Sequence, residues 1–244
     1  MHFGWDSVAV ITAFSFVGGW VGTRAVATLA HRTLPLLVSV AACGVLAVWT
    51  FHVVYGTSAF LLSLCLGWGL LYLAIVDWLE FRLPDLLTLP LIAGGLVAAA
   101  LLPADDMMDT LVGPILGHVP EHALGGHAAI LFVSAEHVLE HAAIAAIAYA
   151  MLWFVAWFYH YLRGREGLGL GDAKLVAAAG AWLGLRPLPS VLLIASTAGI
   201  LWILATSAIH GRKGLTQRIP FGVPLACATW IVWLYEPLAF ANMQ

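Results

Sequence analysis

Apolar residues fall in eight long blocks separated by short polar stretches. The blocks run roughly over 7–22, 34–52, 58–77, 86–102, 141–161, 174–188, 190–209 and 221–239. A helix crosses the hydrocarbon core with about 20 apolar residues, and most of these blocks approach that length. The stretch 128–140 either extends the fifth block or lies along the interface. No repeat of 20–50 residues and no low-complexity tract interrupts the pattern. It predicts an all-α, polytopic helical membrane protein with about eight transmembrane helices, forming a single membrane-embedded domain over 1–244.

The polar stretches sort by charge. Threading the eight blocks alternately through a bilayer puts Arg24, Arg32, Arg82, Arg163, Arg165, Lys174, Arg212, Lys213 and Arg218 on one side, and only Arg186 on the other. The positive-inside rule makes the crowded side cytoplasmic, with both termini outward. No Lys or Arg precedes the first apolar block, so the opening reads as a retained span and not a cleaved signal peptide. The outer stretch 103–128 has no Lys or Arg. It carries Asp105, Asp106, Asp109, Glu121, His118, His122 and His127. It reads as a solvated loop, with a weak metal or proton site as the sharper alternative.

Composition narrows the class. The chain has 244 residues, 62% hydrophobic and 9% charged. Soluble domains carry about 25% charged residues, so an ordinary soluble enzyme is excluded. A net charge of -3 gives no reason to expect nucleic-acid binding. Cys43, Cys65 and Cys227 are isolated in apolar stretches, which excludes a zinc ribbon and a disulfide framework.

Acidic residues at membrane depth are expensive and point to function. Two stand out. Asp77 ends the third block and Asp172 opens the sixth. Their helices run in opposite directions, so both residues reach the same membrane face. Two carboxylates at one depth can share a proton: one acts as general base on water while the other polarises a carbonyl. Gly167, Gly169 and Gly171 precede Asp172 and let an extended peptide backbone come close. The plain alternative is a turn, with Asp172 as helix N-cap.

Three blocks carry a family resemblance. Asp77-Trp78-Leu79-Glu80-Phe81-Arg82-Leu83-Pro84-Asp85, continuing to Thr88-Leu89-Pro90, resembles the first signature of type IV prepilin peptidases. Gly167-Leu168-Gly169-Leu170-Gly171-Asp172-Ala173-Lys174-Leu175 is similar to the second. Ile219-Pro220-Phe221-Gly222-Val223-Pro224-Leu225-Ala226 is similar to a third, at the final span. The blocks keep the family's order and cover about 70–239. The resemblance implies an aspartic membrane endopeptidase with catalytic Asp77 and Asp172, supported by Pro84, Gly169, Gly171 and Lys174. It implies a prepilin or pilin-like secretion substrate, cut after a glycine at the cytoplasmic face of a bacterial inner membrane. Proteolysis of this kind needs no cofactor or metal. N-methylation of the new terminus, with S-adenosylmethionine, is the second activity the resemblance implies. Two features depart from the family. The paired C-x-x-C segment between the first two spans is absent, and the outer stretch after the fourth span is longer.

Other residues admit plainer roles. Asp85 reads as an N-cap, Glu80 and Arg82 as solvated or substrate-contacting loop residues, and Lys174 as either an interface anchor or a group tuning Asp172. His137-Val138-Leu139-Glu140-His141 matches H-x-x-E-H, with both histidines on one helix face. Interfacial polar residues are the better reading, because the run falls on the outer side and has no evident third ligand. Two rival functions are a transporter, which would place its polar site near the midplane in repeated halves, and a non-enzymatic secretion scaffold, which has no need of two aspartates.

Overall fold

The computed structural model describes residues 5–31, 34–54, 59–102, 126–164, 169–210 and 220–241. Among these residues the regular structure is entirely helical. The helices are α1 (Trp5–Leu29), α2 (Leu36–Val54), α3 (Phe60–Glu80), α4 (Asp85–Leu101), α5 (Gly126–Arg163), α6 (Leu170–Leu183), α7 (Leu188–His210) and α8 (Gly222–Ala241). α2, α3, α5 and α7 are long and apolar enough to cross a membrane, and α4 and α8 contribute shorter apolar stretches. Large apolar side chains such as Leu37, Val45, Leu101, Ile147 and Leu193 face outward. A soluble fold would bury most of such a surface, whereas a bilayer solvates it. The protein is a polytopic helical membrane protein.

Two helices differ from the hydropathy reading. α5 starts at Gly126, so 128–140 is helix continuous with the fifth span, and α5 runs for 38 residues. Residues 103–125 of the outer stretch lie outside the described residues, as do Gly167, Arg212, Lys213 and Arg218. α6 ends at Leu183, five residues before the expected end of the sixth span, and has only 14 residues. Gly184, at φ 75°, stops it in a conformation that favours glycine. At 1.5 Å per residue α6 is about 21 Å long, short of the roughly 30 Å core. From Asp172 to Leu183 all its residues but Lys174 are buried.

α6 is the centre of the assembly. It packs against α4, α5 and α8, while α3 bridges α8 to α2 and α1. Leu175, Val176, Trp182, Leu225, Leu234, Leu73 and Ile144 belong to one apolar core that joins these helices. Small residues set the spacing. A Cβ on Gly95 of α4 would lie 2.7 Å from the Ala181 backbone of α6. The Trp182 indole donates to the Leu91 carbonyl at 2.7 Å and ties the same pair of helices. On the other flank the Tyr72 ring fills the space a side chain on Gly22 would need, and its hydroxyl donates to the Gly18 carbonyl at 3.0 Å.

Candidate active site

Asp77 lies one turn before the end of α3, and that end is built around it. Phe81 adopts the left-handed conformation (φ 53°, ψ 36°), and its N–H donates to the Asp77 carbonyl at 2.8 Å. The chain reverses through Phe81, Arg82 and Leu83. Pro84, extended at φ -74°, then caps the start of α4. Proline fixes that φ without strain. The six residues between Asp77 and Pro84 are thus the length needed to end one helix, turn and begin the next. Asp85 occupies the first turn of α4 and is not its cap.

Asp172 sits in the first turn of α6, three residues after the N-cap Gly169. Its N–H donates to the Gly169 carbonyl at 3.1 Å. Its carboxylate faces the Gly169 amide in return, the half of a capping box in which the N3 side chain reaches back to the N-cap amide. Gly169 and Leu170 are exposed while Asp172 is buried, so the site opens at this end of the bundle.

Asp77 meets the start of α8. The backbone amides of Gly222 and Val223 face its carboxylate, and the positive end of a helix dipole favours a negative charge there. Its Oδ2 is buried and, among the described residues, has no hydrogen-bond partner. The two aspartates are 5% and 9% exposed, and each is close enough for its charge to act on the other.

Leu83 lies across the gap between the two aspartate-bearing elements. A Cβ on Gly171, the residue before Asp172, would fall 2.8 Å from Leu83 Cβ. A Cβ on Gly222 would fall 2.7 Å from Asp77 Oδ2 and 3.2 Å from Leu83 Cδ1. Both glycines are required by close approach.

The remaining residues singled out in the sequence are placed as follows. Lys174 forms an ion pair with Asp85, which ties the first turn of α6 to the first turn of α4. Glu80 and Arg82 are exposed at the rim. His137 and His141 do share a face of α5, with ring centroids 5.5 Å apart. His141 Nδ1 donates to the Ala181 carbonyl at 2.8 Å, near the end of α6 remote from Asp172. Among the described residues, no three His, Cys, Asp or Glu side chains are grouped to hold a metal. Leu83 and Gly222 had no role assigned from sequence, although both fall inside quoted motifs.

Residues 122–204 match the model of the type IV leader peptidase family. The prepilin leader peptidase/N-methyltransferase of Escherichia coli (strain K12) is 34% identical over 201 residues, covering 82% of this chain and 73% of that protein. The chain belongs to the type IV leader peptidase family. Its similarity to the family extends to proteins of the same name from Aeromonas salmonicida (strain A449), 37% identical over 182 residues, and Pseudomonas aeruginosa, 30% identical over 232 residues. These alignments cover 74% and 95% of this chain, and 50% and 67% of the two relatives. The chain thus spans about half the length of the Aeromonas relatives. No solved structure matches it. The family match includes Asp172 and its glycines, and begins well after Asp77 in sequence. It is the fold that brings this leader peptidase family member's Asp77 to the same end of the bundle.

Proposed function

We propose that this protein is an aspartic endopeptidase that removes leader peptides from type IV prepilins or pilin-like secretion subunits. One observation carries the reading: two buried aspartates from different helices, Asp77 and Asp172, converge at an open end of the bundle. The ionised partner takes a proton from water as its oxygen attacks the scissile carbonyl carbon. The protonated partner gives its proton to the carbonyl oxygen. Collapse of the tetrahedral intermediate breaks the C–N bond; the proton held by the base passes to the departing amine, and one diol hydroxyl returns its proton to the other aspartate, restoring the starting pair. Asp77 Oδ2, which has no partner among the described residues, suits a group whose partner arrives with the reaction.

The site faces the cytoplasm of a bacterial inner membrane in this reading. The nine-to-one distribution of basic residues supports that side. The substrate approaches laterally, its apolar helix in the bilayer and its basic leader in the cytoplasm. A transporter fits less well, because the acidic pair lies at helix ends and not at the midplane. The test is direct. The purified full chain is mixed with a candidate prepilin, and the products are read by mass spectrometry. A single cut at the leader junction is expected; an intact prepilin would overturn the proposal.

The relatives are also named N-methyltransferases. The described residues offer a poor donor set for S-adenosylmethionine. Apart from Asp77 and Asp172, the acidic groups at this end among the described residues are Asp85, paired with Lys174, and the exposed Glu80. No step is assigned to that cofactor. Including it in the same assay and weighing the mature product for an added methyl group tests the second activity.

A further inference from the structure

We infer that Leu83 is a specificity-determining residue, setting the size limit on the substrate residue whose carbonyl is attacked. The inference rests on the peptidase reading above and deepens it.

The reacting carbonyl has to lie between Asp77 and Asp172. Three groups wall that place. One is the backbone at Gly171, next to Asp172. Another is the backbone at Gly222, against Asp77. The third is the Leu83 side chain, which contacts both: its Cβ, Cγ and Cδ1 lie 2.8–3.4 Å from the Cβ position of Gly171, and its Cδ1 3.2 Å from that of Gly222. A side chain on Gly171 would clash with Leu83, and one on Gly222 would clash with Asp77 and press on Leu83. A substrate chain entering here meets an isobutyl group beside the Asp77 carboxylate.

The restriction falls on one substrate residue. The Cβ of the residue that contributes the carbonyl is two bonds from the attacked carbon. The Cβ of the next residue is three bonds away, across the planar amide. Crowding beside the carboxylates therefore selects against a side chain on the first residue before the second. Leu83 is well placed to hold its position. The left-handed turn at Phe81 precedes it, the rigid Pro84 follows it, and the Lys174–Asp85 ion pair anchors the next residue to α6.

The experiment compares prepilins that carry Gly, Ala or Val at the residue before the scissile bond. Each is processed by the full-length protein and by its Leu83→Ala, Leu83→Val and Leu83→Met variants. The readout is the ratio of kcat/KM for the Ala substrate to that for the Gly substrate, so a loss of rate common to both cancels. Leu83→Ala is expected to raise the ratio about tenfold or more, the range over which a methylene-sized change discriminates. Leu83→Val should raise it less, and Leu83→Met should leave it near the parent value. An unchanged ratio in Leu83→Ala and Leu83→Val, with the Gly substrate still cut, overturns the inference and leaves the peptidase reading standing. Loss of all cleavage in both small variants, with Leu83→Met active, overturns it in favour of a packing role. Failure of the parent protein to cut the Gly prepilin overturns both.

Discussion

The Asp77 carboxylate rests directly on the backbone of Gly222. A Cβ at that position would lie 2.7 Å from Oδ2 and 3.0 Å from Cγ. Contact with the backbone of α8, and not with a movable side chain, fixes how the first aspartate is aimed.

Gly222→Ala is therefore expected to displace Asp77 while leaving α8 helical. A misplacement of about 1 Å in a catalytic group costs on the order of 100-fold in rate. Prepilin processing by purified Gly222→Ala protein should fall by about that factor, with the helical circular dichroism spectrum retained. Processing within a few-fold of the parent would show that Asp77 is positioned by something other than this contact.

Asp77→Asn and Asp172→Asn should each abolish cleavage, because an amide can neither take the proton from water nor hand one to the carbonyl. Size-exclusion profiles in detergent should match the parent. Robust processing by either variant would rule out a shared-proton pair.

The Lys174–Asp85 pair is partly exposed, at 28% and 59% of the two side chains. Exposed ion pairs contribute roughly 0–1 kcal/mol. Lys174→Ala and Asp85→Ala should each lower thermal stability slightly, and the double variant should lower it by less than their sum. A double-mutant cycle on unfolding gives the coupling, expected below about 1 kcal/mol. Additive effects would show that the pair contributes nothing.

The four stretches 23–33, 78–85, 162–173 and 210–220 are expected to face the cytoplasm, from the distribution of basic residues. Single cysteines introduced there on a cysteine-free background should react with a membrane-impermeant maleimide only after the inner membrane is opened. Labelling of 162–173 in intact spheroplasts would invert the topology and move the aspartates to the outer face.

Hydropathy made all eight helices legible, because lipid-facing and buried positions alike are apolar. It left open whether 128–140 extends the fifth span, and it misjudged the end of α6, because apolarity does not distinguish a segment in contact with lipid from one enclosed by protein. The aspartates could be placed at one face because alternate threading of helices leaves little freedom. Contacts between distant segments could not be read. Lys174 and Asp85 are 89 residues apart, and nothing local in either segment marks the other as its partner. Leu83 reads as one more apolar residue until Gly171 and Gly222 are seen against it. Asp85 was expected to cap α4 because it begins the apolar run, yet the fixed backbone of Pro84 takes that position.

The enclosure of α6 bears on how the protein is made. Its 14 residues, with Asp172 and Lys174 in the first two turns, gain too little from lipid for the translocation machinery to release them sideways as an independent helix. What holds α6 at depth is the company of α4, α5 and α8. α4 and α5 precede α6 in the chain, whereas α8 follows it, and α8 brings Gly222 to Asp77. The surroundings of Asp77 are therefore incomplete until α8 has inserted, so a nascent chain that has delivered only α1 to α7 carries both aspartates without the backbone that positions the first of them.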